Sequence, residues 1–145
     1  MQSRKKPKVV LDSVVLVSAF LTGGLTAELL ALCGERVKLY TAEDILQEIR
    51  RVLLEKVYIR NRYKYSDTDA EIFVNRFREK STVVDPLPDI HVIERDPKDD
   101  KILACAVAVQ ADYIVSRDLD LLELETYQEI QIVTPENFIR YLRSI

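Results

Sequence analysis

The sequence predicts an α/β fold: a central parallel sheet of about four to five strands, flanked by helices on both faces as a three-layer sandwich. Two observations carry this expectation. Strand-like apolar runs alternate with helical patterns along the chain, and that alternation implies right-handed crossovers over a parallel sheet. No internal repeat, low-complexity segment or linker interrupts the 145 residues. One domain is therefore expected over 1–145, with the basic stretch 1–7 as a flexible tip.

Taken in order, Lys8 to Leu11 reads as a short buried strand. The chain continues apolar from Val14 to Phe20, and Thr22-Gly23-Gly24 breaks the run. Ala27 to Cys33 reads as a helix stopped by Gly34, a common C-terminal residue. "VKLYT" (37–41) alternates as a strand does. The next helix starts at Thr41 as cap and places apolar residues at 45, 46, 49, 52 and 53, which is helical spacing. "SDTDAEIFVNRFREK" (66–80) is a second capped helix, "STVVD" (81–85) a strand and 86–98 a loop. "DDKILACAVAVQA" (99–111) is a small-residue helix suited to close packing on a sheet. "DYIVS" (112–116) and "IQIVT" (130–134) are strands, and a last helix follows with Pro135 in its first turn.

The length suffices for one packed core. Apolar and charged fractions of 48% and 31% place the chain among soluble globular proteins. A net charge of −3 does not by itself point to nucleic acid or membrane. Cys33 and Cys105 fall inside predicted helices and read as reduced, packed thiols. The basic start runs straight into a strand and an aspartate, so no signal peptide is expected. No apolar stretch reaches the ~20 residues of a membrane span. A cytoplasmic protein without a membrane partner is expected. The single histidine, His91, argues against Cys/His zinc sites and a His-based triad.

The acids carry the chemistry. In open parallel sheets, sites form outside the carboxyl ends of the strands. Asp12 directly follows the first strand, and Asp118 lies two residues past "DYIVS". Asp99 and Asp100 open the helix that feeds that strand. At about 100° per residue, Glu48 lies roughly 40° from Val52, closer to the apolar arc of its helix than Glu43 or Asp44. Carboxylates crowded together repel one another, and a divalent cation relieves the repulsion. Oxygen-only ligands suit Mg²⁺ or Mn²⁺. Each acid also has a plainer reading. Asp12, Asp99 or Asp100 fits a helix cap, Glu48 fits a solvated partner of Arg51, and Asp120 fits the start of a turn.

At these residues the sequence resembles the PIN domain family, most closely the toxin-type, VapC-like ribonucleases of prokaryotic toxin–antitoxin systems. The resemblance spans about Lys8 to Tyr141. It is carried by "VVLDSVVLVSAF", "TAEDILQEIRRVL", "RDPKDDKILACAVAVQADYIVSRDLDLL" and "IVTPENFI". It implies a PIN-like sandwich and a Mg²⁺- or Mn²⁺-dependent endoribonuclease. By position, Asp12, Glu48, Asp100 and Asp118 match the family's catalytic acids. Asp120 matches an auxiliary metal-binding acid beside Asp12, Asp100 and Asp118. Ser13 and Ser116 match hydroxyls that orient the cluster, with Asp99 as a neighbour. A cognate antitoxin and a homodimer are the implied protein partners. The family pattern D-T-N-V-L reads "DSVVL" here, so Val14 stands where an asparagine is usual. That departure favours the alternative: a catalytically weak or inactive domain that binds RNA or protein.

The substrate side is sought in the basic stretch. Arg50 to Lys64 holds six Lys/Arg and one acid. Arg51, Lys56, Arg60, Arg62 and Lys64 are interleaved with Tyr58 and Tyr63, and Tyr65 follows. Cations tracking phosphates and rings stacking on bases form a platform for single strands, although the same run also fits a solvated helix end. Other classes fit worse. A dehalogenase-type phosphatase wants an aspartate at 14, a receiver domain an acidic pair after its first strand, and a dinucleotide fold a glycine-rich turn that three glycines do not supply.

Overall fold

The computed structural model describes residues 5–93 and 97–145. Part of the basic tip (1–4) and part of the expected 86–98 loop (94–96) lie outside the described residues. The chain runs β1 (Lys8–Leu11), α1 (Ser13–Leu21), α2 (Gly24–Arg36), β2 (Lys38–Thr41), α3 (Glu43–Glu55), α4 (Val57–Arg62) and α5 (Asp67–Lys80). It continues through β3 (Thr82–Val83), α6 (Pro97–Val109), β4 (Tyr113–Val115), α7 (Leu119–Leu122), β5 (Thr126–Tyr127), β6 (Ile130–Val133) and α8 (Pro135–Ser144). The strands form one sheet in the order β3-β2-β1-β4-β6-β5, all parallel except the β5–β6 pair at one edge. This is the expected α/β sandwich with helices flanking the sheet, but with six strands rather than four to five, the antiparallel edge strand β5 being the unexpected one.

β1 is central because it is apolar on both faces: Val9, Val10 and Leu11 are all buried. Its neighbours are β2, with Val9 opposite Leu39, and β4, with Leu11 opposite Val115. The core continues through Leu16, Leu29, Leu46, Ile49, Leu103, Ile114, Phe138 and Leu142. No single helix among the described residues is long and apolar enough to cross a membrane.

Several helix ends differ from the sequence expectation: α2 starts at Gly24 rather than Ala27, and α6 runs from Pro97, inside the expected loop, to Val109 rather than over 99–111. Gly34 does not stop α2, which runs on to Arg36. Buried Leu29 and Cys33 hold its inner face, and Arg36 Nη1 donates to the Leu142 carbonyl 2.9 Å away on α8. That tertiary anchoring outweighs the roughly 1 kcal/mol that glycine costs inside a helix. α3 has Ala42 rather than Thr41 at its N-cap position, with no side-chain capping bond. Thr41 still belongs to β2, and its carbonyl accepts the Val84 N–H at 2.8 Å.

Candidate metal and nuclease site

β1 and β4 lie side by side, but the chain leaves them in opposite directions across the sheet, toward β2 and toward β6. Such a reversal of strand order leaves a crevice at the carboxyl ends of the two strands. Asp12 follows the end of β1 directly, and Asp118 lies three residues past the end of β4.

Asp12 is the N-cap of α1: its Oδ1 accepts the Val14 N–H at 3.4 Å and the Ser13 hydroxyl at 3.3 Å. Its Oδ2 accepts the buried Ser116 hydroxyl at 2.6 Å. Ser116 Oγ in turn accepts the Asp118 N–H at 2.9 Å, so one serine ties the two aspartates together. Asp12 is only 3% exposed. Burial pushes its pKa above the ordinary value and the Asp118 charge adds to the rise, while the hydrogen bonds from Ser116, Val14 and Ser13 pull it partly back.

Asp118 caps α7, its Oδ1 accepting the Asp120 N–H at 2.9 Å. Asp99 reaches the same place from the first turn of α6 and is 3% exposed. Asp99, Asp118 and Asp120 each put a carboxylate oxygen within 4.8 Å of the other two.

Asp100 lies outside that trio. Its Oδ1 accepts the N–H groups of Val92 at 2.9 Å and Ile93 at 2.8 Å. The sequence resemblance assigns the metal-facing position to Asp100 with Asp99 as neighbour; in the structure it is the Asp99 carboxylate, not that of Asp100, that lies within reach of Asp118 and Asp120. Neighbours on a helix point about 100° apart, so a single turn cannot aim both acids at one site.

Glu48 also stands apart from the trio. Arg51 grips it with Nε at 3.1 Å and Nη2 at 2.8 Å, and Lys98 Nζ donates from 2.9 Å. Burial alone would raise its carboxyl, but the bonds and charges of Arg51 and Lys98 hold it below the usual range. Sequence reading named Arg51 as a partner and missed Lys98, which is fifty residues away along the chain. Glu48 and Ser13 help line a cleft of about 240 Å³, floored by Ile45 and Ile102 and rimmed by Lys98 and Lys101. Ser13 also binds Asp12, so the cleft adjoins the acids. Val14, at the start of α1, is 55% exposed.

The basic stretch divides. Arg50 pairs with Glu71, and Arg60 pairs with Asp67 at 2.5 Å, donates to the Leu53 carbonyl at 3.3 Å and lies over the Tyr65 ring. Tyr65 donates to the Leu53 carbonyl and sets its ring against Phe20, so both build the junction of α3, α4 and α5. Tyr58, Arg62 and Lys64 are exposed; Lys56 and Tyr63 are half-buried, with Arg62 over the Tyr63 ring.

A chain from the crystal structure of VapBC2 from Rickettsia felis, bound to a DNA fragment from their promoter, superposes with a TM-score of 0.57. The match covers 88% of this chain and 98% of that one at 12% identity, a likeness of fold. No curated protein matches the sequence. A family model described as PIN domain matches residues 8–120, the stretch from β1 through Asp120 that contains every acid described above. The chain belongs to the PIN domain family.

Proposed function

We propose that this PIN domain is a Mg²⁺- or Mn²⁺-dependent ribonuclease of the toxin type, cutting phosphodiester bonds of single-stranded or structured RNA. The observation that carries the reading is the convergence of Asp99, Asp118 and Asp120, with buried Asp12 joined to Asp118 through Ser116. The donor set fits the ion. Three carboxylate oxygens within 4.8 Å of one another would offer the oxygen-only donor set that Mg²⁺ or Mn²⁺ prefers. When bound, the ion supplies charge neutralisation at the phosphate and activation of a water.

The chain's own residues do the rest. Asp99, Asp118 and Asp120 would hold the cation, and Asp12 would add negative charge beside Asp118. Ser116 and Ser13 fix Asp12, and Ser116 fixes the Asp118 backbone. Glu48 keeps Arg51 and Lys98 beside the cleft, where cations hold the phosphates flanking the cut bond. Lys56, Tyr58, Arg62, Tyr63 and Lys64 extend that track. The VapBC2 likeness supports a cognate antitoxin as regulator; a homodimer as the working form is what the family resemblance implies.

A second reading, a domain that binds RNA or protein without cutting, is favoured by exposed Val14 where the family pattern has an asparagine. RNA incubated with Mn²⁺ separates the two. Cleavage that EDTA stops, and that Asp118→Asn lowers about a hundredfold or more, supports the nuclease; that is at or beyond the range for groups that only orient ligands. Binding without cleavage supports the second reading. Equal cleavage by both proteins rejects the assigned site.

A further inference from the structure

Asp99 and Asp100 are consecutive acids at the start of one helix, both at least nine-tenths buried, yet they face different surroundings. Two stripes of α6 explain this. Pro97, Asp100, Lys101 and Ala104 recur at intervals of three and four and line a small cavity under the loop residues Pro88 to His91. Asp99, Ile102, Leu103 and Ala106 form the other stripe and are buried toward the sheet. A carboxylate on the first stripe faces loop backbone; one on the second faces the strand ends.

On the first stripe, Asp100 Oδ1 gathers two successive amides, those of Val92 and Ile93. Buried N–H groups need acceptors, and a charged acceptor of two is a strong anchor. Ile93 is itself a core residue, so this bond fixes the loop's end to the body of the protein as well as to α6. The other end of the bond is the first turn of α6, one residue from Asp99.

We infer that Asp100 is a positioning residue: it pins the Val92–Ile93 backbone to the first turn of α6 and so sets the angle at which Asp99 enters the metal group. The inference rests on the metal reading above and assigns distinct work to the two adjacent acids. Asp99 needs its charge, because it holds a cation. Asp100 needs only an oxygen that accepts two amides, and an asparagine carbonyl has two lone pairs to do so.

The experiment is Mn²⁺ titration by calorimetry of the wild type, Asp99→Asn, Asp100→Asn and Asp100→Ala, with amide hydrogen exchange at Val92 and Ile93. Asp100→Ala should bind Mn²⁺ about tenfold more weakly, the lower range for groups that orient ligands, and lose protection at both amides. Asp100→Asn should restore binding to within about twofold and keep the protection, whereas Asp99→Asn should keep the protection and lose binding. Rescue by asparagine at 100 but not at 99 is the signature. Loss of Mn²⁺ in Asp100→Asn equal to that in Asp99→Asn would overturn the division while leaving the metal reading intact. A wild type that takes up no Mn²⁺ would overturn the metal reading and this role with it. Should Asp100→Ala fail to fold, the two asparagine variants still decide the matter.

Discussion

Asp12 does two jobs whose energetics oppose each other. As a cap it satisfies the start of α1, and as a nearly buried anion beside Asp118 it is costly. Its folded-state pKa stands above the ordinary 3.8. Its protonated form therefore favours folding; that contribution is complete below pH 3.8 and is lost as the pH rises through the folded value. At pH 7, without metal, the ionised group weighs against the fold. Asp12→Asn keeps a good cap and removes the charge, so the metal-free variant should melt above the wild type at pH 7 and converge on it toward pH 3.8. A lower melting temperature at pH 7 would contradict the balance drawn here. Cys33 and Cys105, pushed by burial to about 12, should resist an aromatic disulfide reagent at pH 8 until urea unfolds the chain. Rapid labelling of either thiol in the native protein would refute that. At this scale, the placement of Asp12 and Asp118 was legible because each follows a buried strand end. The facing of Asp99 and Asp100 was not, because it depends on where the backbone of Val92 and Ile93 arrives. Nor was Lys98, whose bond to Glu48 joins distant parts of the chain.

Elements were legible where local chemistry was strong. The capped helix expected at 66–80 starts with a reciprocal capping box of Ser66 and Asp69, with Asp69 N–H to Ser66 Oγ at 3.0 Å and Ser66 N–H to Asp69 Oδ2 at 3.3 Å. Ser66→Ala should cost about 1 kcal/mol, read as a lower urea midpoint with an unchanged slope; no shift would mean the box adds nothing beyond solvent. Thr134 caps α8 ahead of Pro135, as Pro at a helix start requires. The apolar run after Asp12 was less legible, because a short, wholly apolar stretch fits strand or helix equally; the Asp12 cap makes it α1. β5 went unseen for a different reason. It joins β6 through Gln128 and Glu129, which both take positive φ (47° and 69°) where a two-residue hairpin normally signals itself with Asn-Gly.

At the scale of the whole molecule, alternating strands and helices were enough to imply the parallel sheet, while the strand order came only from the structure. That order matters most, since it sets β1 beside β4 and sends their connections apart. The acids come from three separate parts of the chain: after β1, at the start of α6, and after β4. They share one edge of the sheet only because of this topology. The most direct measurement is anomalous diffraction from a crystal soaked in Mn²⁺. The expected result is a peak bounded by the carboxylates of Asp99, Asp118 and Asp120, absent in Asp118→Asn. A well-ordered crystal with no peak there, or with Mn²⁺ held only by other residues, would contradict the metal site and the nuclease reading built on it.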